Sequence, residues 1–412
     1  MNKTIRQDWC NRKKSFFITT TIPATLGFFR GQCSALNELY DVCAVSSPDK
    51  RLTAFAEQEG IRCTALKVER EISLFSDLLS LLKWIFLLSR ERPYIVHANT
   101  PKASLLAMVA AWITFRPIRI YMCHGLRYQG CMGMKRKLLM TMERISCFCA
   151  NRVICVSNGV REQLAEDGIC SLNKSKVILH GSANGIDTEW FNPDIVDESA
   201  VRMQYGIGNE DWTCLFIGRM VRDKGVVEMV NTVVRLHKEG FPVKLLLVGG
   251  REDNLDALPD YTEQLIKESD YIVECGKQKD VRPFIKASKL LLLPSYREGF
   301  GQVLVEANSL GVPVVASRIV GCKNVVSEGV NGLLCNPRDE KSLYECVSRL
   351  LDDKKFYLSI KEQCRAYAID RFDHPKVLKA YMEYYRSFTT LAYEEFYKLK
   401  YCSTVVYMVP RA

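Results

Sequence analysis

The chain has 412 residues, of which 48% are hydrophobic, 25% charged and 10% aromatic. This composition excludes a disordered, collagenous or coiled-coil protein. The length exceeds the roughly 250–300 residues that one hydrophobic core can organise, so we expect two domains. The 57 Lys and Arg exceed the 47 Asp and Glu to give a net charge of +10, which suits an anionic partner without identifying it.

The 17 cysteines are scattered over both halves of the chain, with no Cys-x-x-Cys and no Cys/His cluster at zinc spacing. We therefore predict reduced, mostly buried thiols in a cytoplasmic protein, with neither a structural zinc nor a disulfide framework.

Apolar runs of strand length alternate with segments of helical length through the first half of the chain. The predicted strands are FFITTTI (16–22), DVCAVSS (41–47), YIVHAN (94–99), IRIYMC (118–123), RVICVS (152–157) and KVILHG (176–181), and the helical segments include 72–90 and 134–150. Near-continuous apolar runs are typical of strands that are covered on both faces. The alternation predicts a parallel sheet with right-handed crossovers.

Two apolar segments resemble export or membrane signals. The segment 16–29 follows three basic residues, but its threonines, Pro23 and the lack of a small-x-small cleavage site favour a buried strand that leads into a loop. The segment 72–88 is shorter than the roughly 20 residues of a membrane span and is interrupted by Asp77 and Lys83. We predict a helix of a soluble domain there.

A polar stretch without strands, 184–212, interrupts the alternation before a second series begins. Its predicted strands are TCLFIG (213–218), VKLLLVGG (243–250), YIVECG (271–276), KLLLLPS (289–295), VPVVAS (312–317) and GLLC (332–335), followed by helices to about residue 395. We predict an α/β fold of two tandem Rossmann-like domains with an interdomain cleft. The predicted parts are an N-terminal domain (1–190), a linker (191–210), a C-terminal domain (211–370) and helices that pack back toward the first domain (371–412).

The segment FIGRMVRDKG (216–225) joins a predicted strand to a helix. Such a turn directs backbone N–H groups and the positive end of the helix dipole at one place. Arg219 and Lys224 add two cations, a combination that suits a diphosphate. A solvated helix start with two surface cations is an equally good interpretation of this segment alone.

The segment LLLPSYREGFGQVLVEA (291–307) is a second strand, loop and helix start. Gly299 and Gly301 allow a ligand to approach the backbone closely. Glu298 and Glu306 can accept hydrogen bonds from sugar or ribose hydroxyls. Taken alone, the segment fits a helix cap and an exposed helix face better.

Together, the two segments resemble family-4 glycosyltransferases of the GT-B type, which bind nucleotide sugars. The matching patterns are G-R-x4-K-G (218–225), E-G-F-G-x4-E (298–306), VPVVAS (312–317), EGVNGLL (328–334) and HGSANGID (180–187). The segments HANTPKASLLAMVAA (97–111) and YMCHGLRYQG (121–130) resemble the subgroup that builds capsule, O-antigen and glycan units on polyprenyl diphosphate.

The resemblance implies a role for each matching residue. Arg219 and Lys224 are expected to hold the donor diphosphate, and Glu306 the ribose. Contacts to the donor, including the transferred sugar, are expected from Glu298, Gly299, Phe300, Gly301 and Leu304.

Other matching residues lie in the first half of the chain and at the domain junction. His124 is expected near the reacting carbon, and Arg127 is a candidate for binding the acceptor. Asn184 and Asp187 are expected to be structural.

The implied reaction is a retaining transfer of a hexose or N-acetylhexosamine, from UDP in preference to GDP, to a polyprenyl-diphosphate-linked saccharide. No carboxylate is spaced as an obvious nucleophile, so a two-carboxylate glycosidase scheme is not supported. The family resemblance implies front-side attack instead. No Asp-x-Asp follows a strand, and we expect no metal and no other cofactor. The alternatives are a UDP-N-acetylhexosamine epimerase of the same architecture and a non-catalytic nucleotide-sugar-binding protein. An NAD-dependent dehydrogenase is disfavoured, because no early strand of this sequence is followed by the G-x-G-x-x-G signature of such enzymes.

The predicted helix at 134–148 combines Lys135, Arg136, Lys137 and Arg144 with an apolar stripe. Such a helix can lie in an anionic membrane interface or pack on a core with a solvated basic face. Because the expected acceptor is lipid-linked, we predict peripheral association with the inner face of the cytoplasmic membrane and no nucleic-acid partner. The apolar tail 397–412 has no assigned role.

Overall fold

The structure is a computed structural model that describes residues 13–69, 73–252 and 256–388. The tail 397–412 and the predicted helix beyond residue 388 lie outside these ranges.

The first half of the chain contributes a seven-stranded sheet with the order β3-β2-β1-β4-β5-β6-β7. Its strands are β1 (Lys14–Thr19), β2 (Tyr40–Ser46), β3 (Arg62–Ala65), β4 (Ile95–Ala98), β5 (Ile118–Cys123), β6 (Arg152–Cys155) and β7 (Ser175–Lys176). All pairings from β3 to β5 are parallel, with Ile18 opposite both Ala44 and His97. The predicted parallel sheet is confirmed.

The second half contributes a six-stranded sheet with the order β10-β9-β8-β11-β12-β13, parallel throughout. Its strands are β8 (Trp212–Ile217), β9 (Val243–Val248), β10 (Ile272–Gly276), β11 (Leu290–Leu293), β12 (Val314–Ser317) and β13 (Gly332–Cys335). Strands β11, β12 and β13 are buried along their whole length, as their continuous apolar sequences predict.

Helices connect successive strands, except for the last three, which follow β13, and several begin at a side-chain cap. They are α1 (Gln32–Leu39), α2 (Lys50–Glu59), α3 (Leu74–Glu91), α4 (Pro101–Ile113), α5 (Gly133–Cys149), α6 (Asn158–Glu166), α7 (Ser199–Gln204), α8 (Val226–Lys238), α9 (Asp260–Glu268), α10 (Arg282–Ala287), α11 (Gln302–Ser309), α12 (Cys322–Val325), α13 (Glu340–Asp352), α14 (Lys354–Phe372) and α15 (374–388). Short 3₁₀ helices occur at Pro23–Phe29, Arg127–Gly130 and Arg222–Lys224. Asp49, Ser157 and Asp339 cap α2, α6 and α13 by accepting backbone N–H groups.

Two of the strand predictions differ from the structure. Strand β3 was not predicted because the sequence RCTA is short and none of its four residues is fully buried. The predicted strand 176–181 is wrong beyond Lys176. Leu179 and Gly181 adopt positive φ angles of 50° and 97°, which turn the chain out of the extended conformation.

The chain divides into two compact units. Unit 1 comprises the described parts of Met1–Met122, Ile145–Val153 and Pro375–Ala412, and unit 2 comprises Cys123–Arg144 and the described parts of Ile154–His374. Within unit 1, the Tyr40 hydroxyl donates a 2.7 Å hydrogen bond to the carbonyl of Tyr385, which lies in α15. The 15 cysteines in the described ranges are unbridged, and most are buried.

Helix α3 spans most of the apolar segment 72–88, for which we predicted a helix that does not cross a membrane. No helix in residues 13–69, 73–252 and 256–388 has both the length and the apolar character that a membrane crossing requires.

Candidate functional site

The two sequence motifs meet at the point where the strand order of the second sheet reverses. Strands β8 and β11 are neighbours in this sheet, and their pairing is parallel. The loop after β8 (218–225, loop A) and the loop after β11 (294–301, loop B) therefore leave the same edge. This topological switch point is where open α/β sheets bind ligands.

Glycines let loops A and B contact each other through their backbones. A Cβ atom added at Gly225 comes within 2.1 Å of the Pro294 carbonyl oxygen, and Gly225 has a φ of +73°. A Cβ at Gly249, after β9, comes within 1.6 Å of the Gly218 carbonyl oxygen. A side chain at either position forces the backbone apart.

Two ion pairs and a backbone hydrogen bond also join loops A and B. The Lys224 Nζ atom lies 2.5 Å from Glu298 Oε1, with the two side chains only 18% and 16% exposed. Arg297 Nη2 lies 2.6 Å from Asp223 Oδ2, and the Tyr296 N–H donates to the Asp223 carbonyl at 2.8 Å. The predicted cation Lys224 and the predicted hydroxyl acceptor Glu298 are therefore direct partners.

Arg219 lies at the start of loop A and is more open to solvent than Lys224. Its Nη1 atom lies 2.8 Å from Oε2 of Glu252, a residue that follows β9. Both side chains are partly exposed, so this pair contributes little to stability. A ligand anion can replace Glu252 as the partner of Arg219 at small cost.

Loop B ends at Gly301, whose φ of 79° starts helix α11. The free N–H groups of a helix start make an anion-binding place. Phe300 is buried with its ring 5.4 Å from that of Phe372, and Leu304 is fully buried. The backbone of loop B is therefore more available to a ligand than these two side chains.

Glu306 lies in α11 with its side chain partly exposed. Within the described ranges its carboxylate makes no hydrogen bond to the protein. Burial raises the pKa of Glu306 to about 7. A carboxylate with this pKa and unused acceptor oxygens is a candidate for ligand binding.

His124 follows β5 and lies against loop B. A Cβ at Gly299 comes within 1.9 Å of the His124 carbonyl oxygen and within 2.9 Å of Gly125 Cα. Burial lowers the pKa of His124 to about 4, so the imidazole is neutral near pH 7. The structure thus brings His124, Lys224, Glu298 and Gly299 together within unit 2.

The remaining predicted residues lie in other contacts. Arg127 is exposed at the start of its 3₁₀ helix. The Asn184 carbonyl lies 2.7 Å from His374 Nδ1. The Asp187 carboxylate accepts the N–H groups of Glu189 and Trp190. Asn184 and Asp187 thus contact other residues of unit 2.

The sequence did not point to Ser157, although its side chain is hydrogen-bonded to loop B. Its hydroxyl donates to the Gly299 carbonyl at 2.8 Å and accepts the Val160 N–H at 3.2 Å. The pattern after β6 could have predicted the helix cap. It contains no signal for a contact 142 residues away.

A cavity of about 400 Å³ lies beside loop B in unit 2. Its lining includes three cations, Arg136, Arg318 and Lys323, together with the carboxylate of Asp167 and the ring of Tyr296. The excess of positive charge suits an anionic or hydroxyl-rich group.

Cations, carboxylates and a helix start meet here at the switch point of a parallel sheet. This arrangement is typical of α/β proteins that bind phosphate-bearing ligands. Two family models match the chain: Glycosyltransferase Family 4 over residues 31–190 and Glycosyl transferases group 1 over residues 211–353. The chain belongs to this family and is a glycosyltransferase, as the sequence motifs predicted.

Relatives match along most of the chain. The capsular polysaccharide biosynthesis glycosyltransferase CapM of Staphylococcus aureus is 32% identical over 387 residues, or 92% of this chain and 98% of CapM. The UDP-Gal:alpha-D-GlcNAc-diphosphoundecaprenol alpha-1,3-galactosyltransferase of Escherichia coli is 24% identical over 82% of this chain and 86% of that enzyme. The crystal structure of HepE from Anabaena has a TM-score of 0.74 and 21% identity, covering 91% of this chain and all of HepE. This likeness confirms the GT-B fold.

Proposed function

We propose that the protein is a retaining glycosyltransferase that moves a hexose or N-acetylhexosamine from a UDP-sugar to a polyprenyl-diphosphate-linked saccharide. The proposed process is the assembly of a bacterial surface polysaccharide or glycan. The observation that carries the proposal is the junction of Lys224 with Glu298 at the switch point of the second sheet. The names of CapM and of the E. coli galactosyltransferase support the process and the acceptor class.

The donor diphosphate is proposed to bind between Arg219, Lys224 and the start of α11. Its negative charge competes with Glu298 for the Lys224 ammonium and with Glu252 for the Arg219 guanidinium. Glu298, released from Lys224, can then accept hydrogen bonds from hydroxyls of the transferred sugar, beside the amides of Gly299–Gly301. The Lys224–Glu298 ion pair thus keeps both side chains in position for the donor.

The proposed reaction is front-side displacement at the anomeric carbon. The acceptor oxygen bonds to this carbon while the carbon–oxygen bond to the diphosphate breaks, and the acceptor proton passes to the departing phosphate oxygen. Arg219 and Lys224 neutralise the charge that develops on the diphosphate. His124, neutral near pH 7, can position a sugar or acceptor hydroxyl by hydrogen bonding but adds no charge.

Transfer is expected to be independent of added divalent metal. Two cations and a helix start can already face the diphosphate. Excess EDTA should leave the initial rate within about twofold of its value without chelator. A complete loss of activity that Mg²⁺ or Mn²⁺ restores contradicts the proposed neutralisation by Arg219 and Lys224.

Donor affinity is expected to rise with pH through about 7 because Glu306 must be ionised to accept both ribose hydroxyls. The stability of the free protein should change in the opposite direction. The folded state holds the Glu306 proton more tightly than the unfolded chain, so its contribution to the free energy of unfolding is full below about pH 4.5 and is lost toward pH 7. Calorimetric titration with a UDP-sugar and urea unfolding at several pH values measure the two effects.

Glu306→Gln is the control for both measurements, since glutamine keeps the size and loses the titration. The variant should lose the part of each pH dependence that lies near pH 7. If wild type and Glu306→Gln have parallel affinity profiles, Glu306 does not bind the ribose as an ionised carboxylate.

We also propose that the protein associates peripherally with the inner face of the cytoplasmic membrane, where a lipid-linked acceptor is found. Helix α5 supports this proposal because Met134, Leu138 and Phe148 are exposed on the same helix as Lys135 and Lys137. Exposed basic and apolar side chains on one helix suit an anionic interface.

An epimerase and a non-catalytic binding protein are the alternatives. Purified protein is incubated with a panel of UDP- and GDP-sugars, with and without polyprenyl-diphosphate saccharides extracted from membranes. The proposal predicts an acceptor heavier by one sugar residue with one donor, and an unchanged donor sugar when the acceptor is left out. Conversion of the donor sugar without acceptor identifies an epimerase, and binding without either product identifies a non-catalytic protein.

A further inference from the structure

Helix α3 presents a continuous apolar face to solvent. Five large apolar side chains on it are between 44% and 76% exposed: Phe75, Leu78, Leu79, Leu82 and Phe86. Their spacing of three, four, seven and eleven residues places them in one stripe along the helix. The opposite side, with Ser80, Trp84 and Leu88, is buried. An outward helix face in a globular domain is normally polar, so this stripe needs a partner.

The apolar surface continues at the end of the neighbouring helix α4. Lys102, in the first turn of α4, forms a 2.6 Å ion pair with Asp77, in the first turn of α3. The first turns of the two helices therefore lie side by side. Their last turns are also near each other, because Arg92, which follows α3, lies close enough to Arg116, which follows α4, to affect its pKa. There α4 exposes Trp112 and Ile113, followed by Phe115.

The end of α4 also meets α5. The Trp112 ring lies 6.2 Å from the ring of Phe148, which is 70% exposed. We call the five residues of α3 together with Trp112, Ile113 and Phe115 the α3 face. Through Phe148 it adjoins the last turn of α5.

Cations border the α3 face, and the two acidic side chains that the structure describes on α3 are each paired with a cation. Lys83, Arg90 and Arg92 are exposed on or just after α3, and Arg116 follows Phe115. Burial and then the nearby Arg92 guanidinium lower the pKa of Arg116, so these two cations lie close together. Asp77 is already neutralised by Lys102, and the Glu91 carboxylate lies 3.6 Å from Arg90.

We propose that the α3 face docks onto an anionic lipid bilayer. Its aromatic and leucine side chains enter the boundary between headgroups and acyl chains, while Lys83, Arg90, Arg92 and Arg116 contact anionic headgroups. The cationic border favours anionic lipid over a second copy of this basic chain, whose α3 face carries the same charges. The inference deepens the proposed function, since a membrane-embedded acceptor requires the enzyme to reach the lipid surface.

The test is partitioning of the full chain onto vesicles, measured by flotation without donor or acceptor. Vesicles contain phosphatidylcholine with 0% or about 30% phosphatidylglycerol. The variant carries Phe75→Gln, Leu82→Gln and Phe86→Gln. Its control carries Leu172→Gln, Ile195→Gln and Met203→Gln, three unit 2 side chains of comparable exposure, 46–83%.

Wild type is expected to bind the anionic vesicles at least about tenfold better than the neutral ones. The α3 variant should lose about 30-fold or more in partitioning, because three apolar side chains no longer enter the bilayer. The control variant should remain within about twofold of wild type. Brominated acyl chains should quench tryptophan fluorescence in wild type and do so less in Trp112→Phe.

Three results overturn the inference: wild type that stays off anionic vesicles, an α3 variant that binds as well as wild type, or a wild-type dimer that the α3 substitutions convert to monomer. The last result assigns the face to a second copy. Circular dichroism of each variant confirms that it is folded. Since no sugar substrate is present, vesicle binding lost only in the α3 variant supports the inference even if the transfer assay fails. If the protein transfers sugar to a soluble acceptor but does not bind vesicles, this inference is refuted and the proposed function is not.

Discussion

Lys224→Ala is expected to lower kcat/KM for sugar transfer by about 100-fold or more, and Arg219→Ala should have an effect of similar size. Each substitution removes one of the two cations that we propose stabilise the departing diphosphate. Initial rates with the preferred donor and a polyprenyl-diphosphate saccharide measure the effect. Arg222→Ala is the matched control, since Arg222 is an exposed cation in the same turn, and its rate should stay within about twofold of wild type.

The two variants should differ in stability. Arg219 and Glu252 are 41% and 32% exposed, so the melting temperature of Arg219→Ala should be close to that of wild type. Lys224→Ala leaves the largely buried Glu298 carboxylate without its cation and should melt at a lower temperature. Adding Glu298→Ala should recover part of this loss without restoring transfer. A folded Lys224→Ala protein with wild-type kcat/KM contradicts the assigned phosphate site.

Gly299→Ala is expected to reduce transfer by about 100-fold or more, although the substitution adds a single methyl group. The new Cβ would lie 1.9 Å from the His124 carbonyl oxygen and 2.7 Å from its carbonyl carbon, which are backbone atoms that no rotamer change can move. Loop B must therefore shift away from His124, and the Ser157 hydrogen bond to Gly299 is strained with it. Steady-state kinetics and a thermal melt measure the effect on activity and stability.

Gly208→Ala is the control for the glycine substitution. A Cβ at Gly208 makes only ordinary contacts, the nearest at 3.5 Å to the partly exposed Asp211 carboxylate. Rate and melting temperature should remain near those of wild type. If Gly299→Ala turns over as fast as Gly208→Ala, the close approach of loop B to His124 is not required for the reaction.

The sequence predicted strands well where both faces are buried. IRIYMC matches β5 residue for residue, and LLLL lies wholly inside the predicted run at 289–295, because continuous apolar residues leave little alternative to a covered parallel strand. The sequence pattern failed for a strand that is only partly buried and for an apolar segment whose backbone is not extended. The half-exposed RCTA is a strand, whereas VILHG leaves the sheet because Leu179 and Gly181 have positive φ.

The meeting of the two motifs at one sheet edge was also predictable from the sequence, since both motifs follow apolar strands. The partners within the site were not. The Lys224–Glu298 and Asp223–Arg297 pairs each join residues 74 positions apart, and no local pattern encodes which cation meets which carboxylate. The pKa values of Glu306 and His124 depend on burial by distant parts of the chain, which periodicity does not reveal.

The anomeric configuration of the product tests the central claim most directly. After incubation with the active UDP-sugar, the saccharide that carries the transferred sugar is released from its lipid carrier. The coupling constant of the anomeric proton of the transferred sugar is then measured by NMR. The account predicts one added sugar residue with the configuration that it had in the donor. An inverted configuration contradicts the front-side mechanism, and an acceptor that gains no sugar from any donor of the panel contradicts the proposed transfer itself.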